Sequence, residues 1–83
     1  MTREETAAML IDVMKESIEE HVDWDTITED SDLLVLGFDS LTVLDFLFYL
    51  KEKMGITVDA KELDGVVTFA SLITFVEQRI QPA

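Results

Sequence analysis

The chain has 83 residues, 48% of them apolar, with 18 acids against 6 bases, a net charge of −12 and no cysteine. The apolar fraction is too high for a disordered tail and suffices for one domain, 1–83, with a modest core. The charge argues against nucleic acid and for basic partners found by electrostatic steering, although solubility alone accounts for most of the acids. The missing cysteines exclude a disulfide framework and any thiol chemistry of the chain's own.

Thr2-Arg3-Glu4-Glu5 reads as a capping box, with Thr2 as N-cap and Glu5 closing it. Ala7, Leu10, Ile11, Met14 and Ile18 then recur at helical spacing, which predicts a first helix over about 3–20 with Asp12, Glu16, Glu19 and Glu20 largely opposite. His21 stands at its end, near the negative pole of the helix dipole.

Residues 21–39 form a long connection, unusual in so small a domain unless pinned or functional. Val22, Trp24, Ile27, Leu33, Leu34 and Leu36 are expected to pin it, with Trp24 a packing residue. Its acids invite a calcium reading. Asp23-Trp24-Asp25-Thr26-Ile27-Thr28 lacks the central glycine of an EF-hand and puts Ile27 where a third ligand belongs, so no metal site is expected.

The connection ends at Leu36-Gly37-Phe38-Asp39-Ser40-Leu41. Gly37 can take a positive φ. Asp39 is a good N-cap for a helix opening at Ser40. Free N–H groups and the helix dipole at this first turn favour a negative charge, such as a phosphate on the serine. The second helix, Ser40–Met54, is apolar nearly all round. Val43, Phe46, Leu47, Leu50 and Met54 make a core stripe. Leu41, Leu44 and Phe48 make another; so few elements cannot surround the helix, and this stripe either covers the long loop or, as expected, stays exposed as a partner surface. Gly55 ends the helix. Ile56-Thr57-Val58 is extended but has no partner strand, so it is expected as loop. Residues 59–64 make a helical turn or two, stopped by Gly65. Thr68 caps a last helix over about 69–80, with Phe69, Leu72, Ile73, Val76 and Ile80 inward, and Pro82 follows it. The expected fold is all-α: a small four-helix bundle with a long first loop and a short third helix.

At the run LGFDSLTVLDFLFYLKEKMGITV, and from Ile27 to Thr68-Phe69 around it, the chain resembles the acyl carrier proteins, whose Asp-Ser-Leu signature marks the modified serine. The resemblance implies that Ser40 carries 4′-phosphopantetheine as a phosphodiester, with Asp39 and Leu41 as the flanks read by a phosphopantetheinyl transferase. The arm's thiol would hold acyl groups as thioesters, and the apolar interior could shelter them. Acyl-loading and acyl-processing enzymes would dock on Leu41, Leu44, Asp45, Phe48 and Glu52.

Departures from the family pattern bear on the pathway. Thr42 stands where carriers of fatty-acid synthesis typically have an acid, and Lys51 and Lys53 stand where acids are common. Those departures favour a discrete carrier of polyketide or hybrid biosynthesis. A fatty-acid carrier, a D-alanyl or other aminoacyl carrier, and a helical interaction module that never receives the arm stay open.

Catalysis by the chain alone is not expected. Phe38 interrupts the Gly-Asp-Ser-Leu block of some hydrolases, and His21, the one histidine, has no orienting partner in view. The N-terminus has no basic region followed by an apolar run, and no stretch approaches a membrane span, so a cytoplasmic location is expected; a monomer is expected as well.

Overall fold

In the computed structural model, residues 2–18 and 22–80 are described, Ser40 by its backbone alone. Three α-helices form: α1 (Arg3–Ser17), α2 (Ser40–Met54) and α3 (Phe69–Arg79). Thr2 and Glu5 close their capping box at the start of α1. The helix ends at Ser17, because Ile18 turns extended (φ −97°, ψ 115°) while still bonding back to the Met14 carbonyl. The expected end near residue 20 was therefore too late, and Glu19, Glu20 and His21 lie outside the described residues. Leu10, Val13 and Met14 are fully buried, with Thr6 and Ser17 alongside. Ala7 and Ile11 sit at the edge of this face, so it is rotated from the expected stripe.

The second helix has the expected bounds. Gly55 ends it in the left-handed conformation (φ 69°), which only glycine adopts cheaply. Phe46 and Leu50 are its fully buried residues. Val43, Leu47 and Met54 of the expected core stripe are only partly buried against the core. Ile56-Thr57-Val58 is loop, with Ile56 and Val58 buried. The expected short third helix is a single 3₁₀ turn, Ala60–Leu63, closed by an Asp59–Glu62 capping box. A second 3₁₀ turn, Trp24–Thr26, was not anticipated. Thr68 caps α3 as expected; its capping-box partner is the Ser71 hydroxyl, in place of the usual Glu or Gln.

The first helix packs against both α2 and α3, which have no comparably extensive contact with each other. The long connection fills part of that gap. It is held by main-chain bonds: Leu33 N–H to the Val67 carbonyl (2.9 Å), Phe69 N–H to the Ser31 carbonyl (2.9 Å) and Ala70 N–H to the Glu29 carbonyl (2.8 Å). Two of the first amides of α3, which a helix cannot satisfy itself, thus find acceptors in the loop. Arg3 ties the same parts together. Its guanidinium bonds Glu29 (2.6 Å), Glu77 (2.5 Å), Thr74 (3.3 Å) and the Ala70 carbonyl (3.3 Å). The contacts with Glu29, then Glu77, raise its already high pKa.

Candidate functional site

The serine loop is built by residues 33–38. Leu33, Leu36 and Phe38 turn into the core, and the Phe38 ring meets Phe46 edge-to-face at 4.9 Å. Phe38, which in the sequence interrupts a hydrolase-like Gly-Asp-Ser-Leu block, anchors the loop to α2. Bonds from Leu36 N–H (3.1 Å) and Phe38 N–H (3.0 Å) to the Leu33 carbonyl close the turn, and Gly37 takes φ 99°. Leu34 points outward instead of pinning the loop, at 73% exposure. Alternation within a closed turn follows its own hydrogen bonds, which the apolar run Leu33-Leu34-Val35-Leu36 does not reveal.

Ser40 occupies the first position of α2, directly after its N-cap Asp39. The Asp39 carboxylate accepts from Leu41 N–H (3.1 Å) and Thr42 N–H (2.8 Å). Two of the amide groups expected to be free for a phosphate, those of Leu41 and Thr42, are therefore occupied there. The Thr42 bond, more than the Leu41 bond, holds Asp39 below its ordinary pKa, so it is ionised at neutral pH. A phosphate on Ser40 would meet a helix dipole already answered by a carboxylate. The bond to the serine, not an amide cradle, would have to retain it.

The flanks Asp39 and Leu41 are exposed, Leu41 at 75%. Leu44 and Phe48 continue the stripe down α2, and Asp45, Glu52, Lys51 and Lys53 are exposed along it. Lys53 lies 3.8 Å from Glu16. Beside the serine loop, in the gap between α2 and α3, lies an apolar cleft of about 200 Å³. Phe38, Val43, Leu63, Val66 and Leu72 line it, and exposed Leu34 and Val67 stand at its edge. Asp23 spends its carboxylate on the Asp25 amide (3.2 Å). Among the described residues no three acids or histidines gather as a metal site, and no described helix is long and apolar enough to cross a membrane.

A helical bundle with one serine at an open helix start, an apolar stripe beside it and a cleft behind it defines a carrier domain. Residues 7–76 match the family model described as the phosphopantetheine attachment site. The chain is also 26% identical over 80 residues to the acyl carrier protein of Thermotoga maritima, an alignment covering 95% of this chain and 96% of that one. The chain belongs to the acyl carrier protein family, carriers of covalent 4′-phosphopantetheine on which separate enzymes act. When attached, the arm supplies the thiol that this cysteine-free chain lacks.

Proposed function

We propose that Ser40 is the attachment point, and that the chain carries acyl intermediates of polyketide or hybrid biosynthesis as thioesters. The observation that carries the attachment site is the position of Ser40 at the first turn of α2 between exposed Asp39 and Leu41. The whole chain acts as one carrier domain, a cytoplasmic monomer. Asp39 organises the turn and, with Leu41, marks it for the transferase. Leu41, Leu44 and Phe48 supply apolar docking area, and Asp45 and Glu52 supply charge for basic partners. The cleft offers shelter to an apolar acyl chain. The pathway assignment rests on charge: Thr42 and exposed Lys51 and Lys53 weaken the acidic face that partners in fatty-acid synthesis would read.

Incubation of the unmodified chain with coenzyme A and a promiscuous phosphopantetheinyl transferase should add the mass of one arm, and Ser40→Ala should abolish the addition while helical content persists. A surviving mass shift in Ser40→Ala would move the site elsewhere. Rates of acyl transfer to the modified chain from a polyketide-type and a fatty-acid-type loading enzyme then test the pathway. Faster loading by the fatty-acid-type enzyme would overturn it.

A further inference from the structure

We propose that the turn 33–38 presents Leu34 and Val35 as a second anchor for the enzyme that installs the arm, outside the α2 stripe. The inference rests on Ser40 as the attachment point. Of the large apolar side chains in this turn, Leu33, Leu36 and Phe38 are 4–7% exposed, whereas Leu34 is 73% and Val35 80% exposed. Val35 is thus more open to solvent than Leu41, Leu44 or Phe48. The turn is not loosely frayed. Gly37 N–H bonds the Leu34 carbonyl at 3.1 Å, Phe38 N–H bonds the Leu33 carbonyl at 3.0 Å, and the Asp32 carboxylate accepts from Leu34 N–H at 2.8 Å. The main chain holds these two side chains outward, Leu34 at the edge of the apolar cleft, and a partner that covered them would relieve the cost of their exposure.

Position and charge identify the occupant. Ser40 follows Phe38 by two residues, so whatever works at the serine oxygen must approach the foot of this turn. Enzymes acting on the thiol work at the far end of the arm, away from the serine oxygen. In the installing step the Ser40 oxygen bonds to the pantetheine-bearing phosphorus of coenzyme A. The bond from that phosphorus to the nucleotide oxygen breaks, adenosine 3′,5′-bisphosphate leaves, and the hydroxyl proton passes to a base of the transferase. An enzyme that grips those phosphates presents cationic groups beside its reaction centre. Residues 16–50 contain ten acids and no lysine or arginine. Asp32, Asp39 and Asp45 are exposed, and none has an ion-pair partner among the described residues. An apolar knob set among uncompensated acids complements an apolar recess rimmed by such cations.

The test is the doubly substituted chain Leu34→Ser, Val35→Ser, assayed with coenzyme A and a transferase that modifies the wild type. Initial rates of arm addition are read by intact mass at varied carrier concentration. KM should rise at least about fivefold with kcat within about twofold, because the contact contributes to binding and not to chemistry. The melting temperature should stay near that of the wild type. If it does not, the single changes Leu34→Ala and Val35→Ala must each still raise KM. An unchanged KM with a modified wild type overturns this inference and leaves Ser40 in place. A wild type that takes no arm overturns both. Concentration-dependent self-association of the wild type that the double variant loses would assign the turn to a second copy of the chain, and would overturn the proposal.

Discussion

Leu44 and Leu50 sit on the same helix and differ in little but burial, so truncating each separates docking from packing. Leu50 is 1% exposed. Its replacement by alanine removes a fully buried side chain and leaves a cavity, at a cost of about 2–5 kcal/mol. In a domain of this size each kcal/mol lowers the melting temperature by roughly 4–8 °C, so Leu50→Ala should melt at least about 8 °C lower. Leu44 is 58% exposed. Full burial of a leucine stabilises by about 1.5–3 kcal/mol, so the covered two-fifths is worth at most about 1 kcal/mol. The better helix propensity of alanine returns a few tenths of that. Leu44→Ala should therefore melt within about 5 °C of the wild type, yet slow acyl transfer by partner enzymes. Thermal melts followed by circular dichroism, beside loading assays on the modified protein, read both quantities. A melt for Leu44→Ala as low as that of Leu50→Ala would show that Leu44 belongs to the core and would refute the docking argument. Leu47, the core residue expected from spacing, is half-buried and a poorer control.

Asp39→Asn should keep the helix cap but change the acid limb of stability. The depressed folded-state pKa of Asp39 means that its contribution is present above its ordinary value of about 3.8 and is lost as pH falls through the lower folded value; acid titrations of the melt should be flatter for the variant. Arg3→Gln should lower the melting temperature by loosening the loop from α1 and α3, and the loss should shrink in concentrated salt, because the Glu29 and Glu77 pairs are partly exposed. At −12, moderate sodium chloride should raise the wild-type melting temperature while slowing association with a basic partner, both followed in one buffer series. Asp45→Asn should flatten the salt dependence of the association rate and hardly alter that of the melt. A variant keeping the full wild-type slope would show that the partner does not read Asp45.

Helix starts, and the stop marked by Gly55, were the legible part of this chain, because caps are residue chemistry written at fixed offsets; the end of α1, which no such residue marks, was not. Thr2 with Glu5, Asp39, Gly55 and Thr68 each perform the terminal role their residue type suggested. Burial on α1 was less legible. Ile11 looks more apolar than Thr6 or Ser17, yet small Thr6 and Ser17 are buried, Ser17 with its hydroxyl bonded to the Val13 carbonyl at 2.6 Å. Hydrophobicity alone does not tell how closely a helix is approached. That Ser40 opens α2 behind its cap Asp39 could be read from the sequence, whereas the outward set of Leu34 could not. The Asp39 carboxylate occupying the helix-end amides was implicit in naming it the N-cap, but its consequence for a bound phosphate needed the two distances.

The stitching of residues 29–33 to residues 67–70 has a consequence for exchange between related domains. Loop and helix start share one set of hydrogen bonds, formed by carbonyls and amides that every residue type except proline supplies. Point substitutions therefore leave the seam nearly untouched, and both strips of sequence can drift independently. A change in length cannot be absorbed so easily: one residue inserted between Glu29 and Leu33 puts the bonds on its two sides out of register with each other. Chimeras that transplant the serine-bearing loop should thus succeed when residues 66–70 travel with it, and a loop of different length moved alone should leave the first turn of α3 unwound.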